Sequence, residues 1–364
     1  TATNGTVSPS SQATGYNGSA SFTVTPNSGY TSELETNTCG GTLSGNTYTI
    51  SNITSTKTCS IAFKKNGTSL ATLIKTNAVN ENGYRYEGSD PNNYITMEKT
   101  DGTTEMWRII GLFPDGENGE DVIRVRKVGY ENAAYDEGDH TTAYFSNMTK
   151  TNSKLLAYAD TISNKNYIAA PYVCYGCENH WPITTLYTAL SSTYTLTNYK
   201  NTVNYKMYLG GASSVSSYTS QDLYDMERML NSKGTAGKTS QNSYSSETTF
   251  TGSVGLMYPS DYGYGVLASD CARTISPSSY VGASACKNNN WLYQGNLTRQ
   301  WLITPNSSLP DSVFVLESTG YIRSEIYGYG IDVASSGSFS PVMALRSDVI
   351  VTGSGTQSDP YIMK

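Results

Sequence analysis

The groups that could do chemistry are few. The chain has two histidines, His140 and His180. A nucleophilic site needs one of them within hydrogen-bond reach of a Ser or Cys, and a third group to orient it. His180 follows Cys177 closely, but Cys177 has its own near neighbour in Cys174, so a structural loop is the better reading. Carboxylate pairs can hydrolyse glycosides. The candidates are Asp136, Glu137 and Asp139 in a Gly-containing loop, and Asp222, Asp225 and Glu227 along a helix. The second set alternates with Leu223, Met226 and Leu230 and reads as a solvated face. The first is compact enough to bind calcium, yet Asp136-Glu137-Gly138-Asp139-His140 lacks the twelve-residue EF-hand pattern. Gly252-Ser253-Val254-Gly255 lacks the Lys-Ser/Thr of a phosphate loop. No catalytic residue, metal or cofactor is assigned, and the chain is not read as an enzyme. A hydrolase using Asp139 or His180 is the minor alternative.

The six cysteines form local pairs: Cys39–Cys59, Cys174–Cys177 and Cys271–Cys286. Close partners in even number suit disulfides made in an oxidising place. Cys174-Tyr175-Gly176-Cys177 before His180 also spells part of a zinc set, with His140 or another pair as its missing ligand. Free thiols are the third option.

Tyrosine supplies a rigid apolar ring with a polar tip, suited to wet recognition surfaces. Of 30 tyrosines, Tyr258, Tyr262, Tyr264, Tyr293, Tyr321, Tyr327 and Tyr329 fall near predicted loops of the C-terminal third. They are the candidate ligand-binding residues.

The composition explains what must carry them. Charged residues make up 15% of the 364, where a typical soluble domain carries about 25%. Hydroxyls and amides take over the solubilising role, as in many exported proteins. The net charge is -6 and cations are not clustered, which argues against nucleic acid. No stretch approaches the roughly 20 apolar residues of a membrane span. The sequence starts at Thr1 inside polar β-type sequence, so a removed export signal, with or without an anchor, is expected upstream. Asn-x-Ser/Thr words such as Asn52-Ile53-Thr54 and Asn147-Met148-Thr149 matter only if the host glycosylates exported chains.

Residues 1–66 alternate apolar and polar positions between turns, as in Ser21-Phe22-Thr23-Val24-Thr25 before Pro26-Asn27-Ser28-Gly29. They predict a small β module. Residues 67–80 predict a short helical connector with Leu70, Leu73 and Ile74 on one face. From residue 81 onward one domain is expected. Residues 106–113 and 122–126 should pair as strands across Asp115-Gly116. Helices are expected at 152–161, 182–191 and 220–231, the last capped by Thr219 and Asp222 and stopped by Gly234. Short strands and long loops follow, so the class expected is α+β.

The first module resembles the B-repeats of bacterial surface proteins, through Asn4-Gly5-Thr6-Val7, Phe22-Thr23-Val24-Thr25-Pro26-Asn27-Ser28-Gly29-Tyr30 and Cys59-Ser60-Ile61-Ala62-Phe63-Lys64. That resemblance implies a spacer. Residues 81–364 are similar to surface proteins of gut Bacilli, some with pilin-like anchors, and to a broader C-type-lectin-like domain. The words that carry it include Trp107-Arg108-Ile109-Ile110-Gly111, Gly255-Leu256-Met257-Tyr258-Pro259-Ser260-Asp261-Tyr262-Gly263-Tyr264, Asn288-Asn289-Asn290-Trp291-Leu292-Tyr293, Gln300-Trp301-Leu302-Ile303-Thr304-Pro305 and Ser340-Pro341-Val342-Met343-Ala344-Leu345-Arg346. The Glu-Pro-Asn and Trp-Asn-Asp words of calcium-dependent sugar binding are missing, so that sugar site is not carried over. The implied protein is displayed outside a bacterial cell and presents a loop-rich face, about residues 258–335, to a glycan or protein. The alternative is a filament or pilus subunit whose partners are other copies of itself.

Overall fold

Strands whose alternate side chains are apolar bury one face and wet the other, and that rule builds the first part of the chain. The computed structural model describes residues 1–133, 181–212, 218–230, 233–236, 238–240, 243–244, 247–295, 299–307, 312–323 and 337–364. They form two units. The first comprises Thr1–Leu70, Asp348–Thr352 and Ile362–Lys364; the second comprises Ala71–Ser347 and Gly353–Tyr361. The boundaries read from sequence (1–66, 67–80 and 81–364) leave residues 348–352 and 362–364 in the large domain, whereas in the fold they belong to the first unit.

In the first unit, β1 (Ala2–Thr3), β2 (Gly5–Ser8), β3 (Gly18–Pro26), β4 (Tyr30–Asn37), β5 (Thr42–Ser44), β6 (Thr47–Ile53) and β7 (Ile61–Lys65) make two sheets, in the orders β2-β3-β6-β5 and β1-β7-β4. Val24, Tyr48 and Ile50 from one sheet and Ile61 and Phe63 from the other share a core. Tyr48 is buried, and its hydroxyl donates to Asn37 Oδ1 at 2.5 Å and accepts from Gly41 N at 3.1 Å. The Cys39–Cys59 disulfide ties the chain beside this core. Thr68–Ser69 (β8) pairs with Ile350–Thr352, which in turn pairs with residues 362 and 363. A helix, α1 (Leu70–Asn77), follows with Leu70 and Ile74 buried.

The second unit is organised by β9 (Val79–Asn80), β10 (Tyr84–Arg85), β11 (Tyr94–Glu98), β12 (Thr104–Phe113) and β13 (Val122–Lys127). Strand β12 pairs antiparallel with β11, β10 and β13, and β13 continues to Val342–Arg346. The β12–β13 pair expected from the two apolar runs is present, with Trp107 opposite Lys127 and Arg108 opposite Arg126. The register shifts between Ile109 and Gly111. A side chain on Gly111 would put its Cβ 2.1 Å from the Tyr84 carbonyl oxygen, so only glycine lets β10 lie this close. A second sheet has the order Glu131–Ala133, Gly337–Phe339, Arg299–Pro305, Val313–Glu317, Ile322–Arg323. Trp107 and Trp301 are fully buried in these sheets.

Helices α2 (Thr185–Thr193), α3 (Ser220–Glu227) and α4 (Pro259–Tyr264) are short. The expected cap on α3 is formed: Thr219 Oγ1 accepts from Asp222 N, and Asp222 Oδ2 accepts from Thr219 N, both at 3.1 Å. The helix ends at Glu227, before the predicted 231, and Leu230 is exposed. The helix expected at 152–161 lies outside the described residues.

The expected α+β class, with its large C-type-lectin-like α+β domain, is corrected. Strand accounts for 41% of the structure and helix for 15%, so the fold is β-rich. Helical stripes stand out in a sequence because their period is distinctive. Short continuous apolar runs such as residues 342–345 are buried strand here, yet periodicity cannot tell them from buried helix.

Replacing Cys39 and Cys59 together by Ser should lower the first unit's unfolding free energy by about 3 kcal/mol, since the bridge closes a loop with separation 20. Equilibrium urea unfolding checks this; unchanged stability would contradict it.

Candidate functional site

Five buried charged side chains meet in the second unit, and Asp261 binds two of them. Strand β10 delivers Arg85, β13 delivers Arg124, and α4 delivers Asp261. Arg85 Nη1 donates to Asp261 Oδ1 at 2.6 Å. Arg124 Nη2 and Nη1 donate to Oδ1 and Oδ2 at 2.8 and 3.2 Å. The backbone N–H of Tyr258 caps the same carboxylate at 3.0 Å, which fixes the first turn of α4. Asp115 stands 3.5 Å from both Arg124 Nε and Arg228 Nη2. Burial works to raise the Asp261 carboxyl, but Arg124 and Arg85 hold it below its ordinary value. Aromatic faces cover the cations: Phe113 over Arg124 at 3.9 Å and Arg85 at 4.6 Å, Tyr224 over Arg228 at 3.9 Å.

Glu227, expected on a solvated face, is fully buried instead, and accepts from the backbone N–H and hydroxyl of Ser260. Glu227 stands four residues after Leu223, so one helical turn puts both on the buried face of α3. Burial pushes its carboxyl up to about 7, against the pull of Arg228.

Arg126 lies on β13 beyond Arg124 and, by strand period, on the same face. It is 2% exposed. No carboxylate among the described residues pairs with it. Its Nη2 donates to Gln300 Oε1 at 3.3 Å and Ser340 Oγ at 3.0 Å. Gln294, with its amide oxygen toward the guanidinium, accepts from Nη1 and Nη2 at 3.2 and 3.3 Å. Burial and the charge of Arg108 push the Arg126 guanidinium down to about 10.

Arg126 lines a polar cavity of about 380 Å³ with Ser89, Asp90, Tyr94, Arg108, Trp291, Tyr293, Gln294 and Gln357 among its walls. Arg108 sits between the rings of Tyr94, at 4.1 Å, and Trp291, at 4.6 Å. Its Nε donates to Asn93 Oδ1 at 2.7 Å, and its Nη2 to Asp90 Oδ1 at 2.9 Å and Pro91 O at 3.2 Å. The wall carrying Trp291 is anchored from below. Trp291 Nε1 donates to Tyr86 O and Asn290 Nδ2 to Tyr262 O, at 2.8 and 2.7 Å, and the Cys271–Cys286 disulfide staples the chain just before it. A larger groove, about 850 Å³, lies in the first unit, where Lys57 is the one charged side chain among described lining residues that are otherwise apolar, hydroxyl or, at Gln12, amide. The smaller cavity holds the convergent charged, amide and aromatic groups that fix a ligand.

The sequence-predicted residues scatter. Tyr258, Tyr262 and Tyr264 are buried, which takes them off the surface assigned to them. Tyr262 donates to Gly320 O at 2.8 Å, and Tyr258 stacks over Arg124 at 5.3 Å. Tyr293 does line the cavity, while Tyr321 is half-buried elsewhere. Tyr327, Tyr329, Asp136, Glu137, Asp139, His140, Cys174, Cys177 and His180 lie outside the described residues. Sequence reasoning missed Arg108, Arg126, Tyr94 and Trp291 as site residues. The available signal was a pair of arginines, Arg124 and Arg126, inside an apolar strand of a chain poor in charge.

No family model, curated protein or solved structure matches the chain. Among the described residues two disulfides are present and no helix is long and apolar enough to cross a membrane.

Between its ordinary value of 4.5 and about 7, folded Glu227 keeps a proton that the unfolded chain has released. Stability therefore falls as pH rises through that window. Glu227→Gln should remove up to about 3 kcal/mol of that fall, leaving the share of Glu87, which burial also pushes up to about 7. Urea unfolding at pH 5 and 7.5 measures the difference; identical pH slopes for the two proteins would contradict it.

Proposed function

We propose that the chain is an extracellular, adhesin-like binding protein of a bacterial surface, in which the β-rich second unit holds the ligand. The observation that carries this reading is the polar cavity built around Arg108 and Arg126. Its walls supply guanidinium, amide, hydroxyl and aromatic groups, and the one carboxylate among its described residues, Asp90, is already engaged by Arg108 and by the Tyr94 hydroxyl. Such a lining orients a ligand by hydrogen bonds and charge, whereas acid–base chemistry needs a poised proton carrier. The disulfides and the low charge suit life outside the cell. The first unit acts as the spacer.

Fluorescently labelled full chain, titrated onto glycan arrays and cultured epithelial cells, tests the reading. Saturable binding to at least one glycan or cell surface is expected, with the protein monomeric in sedimentation. The absence of any saturable partner would overturn it, and concentration-dependent polymers would favour a filament subunit.

A further inference from the structure

Opposed strands avoid facing like charges, because the pair repels and gains nothing from the sheet. Yet Arg108 and Arg126 are direct partners across β12 and β13. Asp90 neutralises Arg108 from an exposed position, with 66% of its side chain open to solvent. Nothing of opposite charge among the described residues meets Arg126, whose Nε is also buried without a hydrogen bond. A desolvated cation costs several kcal/mol unless an anion reaches it. Among the described residues, the cavity that both arginines line thus carries one excess positive charge, facing space large enough for a small molecule.

We infer that this cavity receives the carboxylate of an acidic sugar, which names the ligand class and rests on the binding role proposed above. A single negative charge balances the site, which favours a carboxylate over a phosphate dianion. Tyr94 and Trp291 pack on Arg108, and its Nε and Nη2 are already bonded, which leaves Nη1 to donate to a carboxylate oxygen. Arg126 offers the second guanidinium. Ser89, Asn288, Gln294 and Gln357 supply neutral donors and acceptors matched to ring hydroxyls, and Val128 is the one aliphatic side chain of the lining. A peptide side chain would find little apolar wall here. At about 380 Å³ the cavity lies near the lower end of the roughly 300–1,000 Å³ typical of small-molecule sites, a size suited to one or two sugar rings.

Calorimetric titration of the full chain tests this with the methyl glycosides of glucuronic, galacturonic and N-acetylneuraminic acids, their carboxyl methyl esters, and methyl glucoside. At least one acid should bind about tenfold or more tightly than its own ester, and more weakly as salt rises. Arg126→Gln should erase that preference while circular dichroism shows the fold retained. The acid-versus-ester comparison needs only the unaltered protein, so it stands even if the variant fails to fold. No acid preferred over its ester, or a preference that a folded Arg126→Gln protein keeps, would overturn the inference. So would inorganic sulfate displacing the acid at equal concentration, since that marks a bare anion site. If the array yields saturable neutral glycans insensitive to Arg126→Gln, the acidic ligand fails and the binding role survives. An array and cell screen without any saturable partner sinks both.

Discussion

A buried arginine needs an anion brought to it, and in the second unit Asp261 is that anion for Arg85 and Arg124 together. The three residues come from β10, β13 and α4, and the closest of these contacts spans 176 residues of sequence. One carboxylate therefore ties an early hairpin, a central strand and a late helix. Its remaining acceptor capacity caps the helix that carries it. The geometry has little slack: a lost partner strands a charge in a low-dielectric interior, which costs far more than the pair itself contributes. Aromatic rings pack over the same cations, and this is where many of the tyrosines are used.

The candidate site follows from the same strand. Arg124 and Arg126 share one face of β13, but among the described residues only Arg124 meets carboxylates. Burial without compensation is rarely kept for stability alone, and the asymmetry between these two neighbours separates scaffold from site. Residues of the wall opposite, Trp291 and Asn290, are pinned to the backbone beside α4 and β10.

Local signals carried well from sequence to structure. Alternation in residues 1–66 became two small sheets, the apolar runs around Trp107 and Val125 became β12 and β13, and Thr219 with Asp222 became a cap. The spacing of Cys39 with Cys59 and of Cys271 with Cys286 became disulfides. What did not carry was anything fixed by distant partners. Glu227 reads as solvated because it is a carboxylate grouped with Asp222 and Asp225, and Ser260, which receives it, is far along the chain. Tyr258, Tyr262 and Tyr264 looked like a recognition surface because their sequence is loop-like; their burial depends on Arg124, Gly320 and the sheet above them. The class was misjudged because the buried strands between 299 and 346 lack the alternation that marks a half-exposed sheet.

Asp261 compensates buried charge, whereas Arg126 meets no carboxylate among the described residues. Equilibrium urea unfolding of Asp261→Asn and Arg126→Met beside the unaltered protein measures this contrast directly. Asp261→Asn should lose about 3–5 kcal/mol, while Arg126→Met should keep its stability to within about 1 kcal/mol or gain some. If Arg126→Met loses as much as Asp261→Asn, Arg126 already has its counter-charge and the account is wrong.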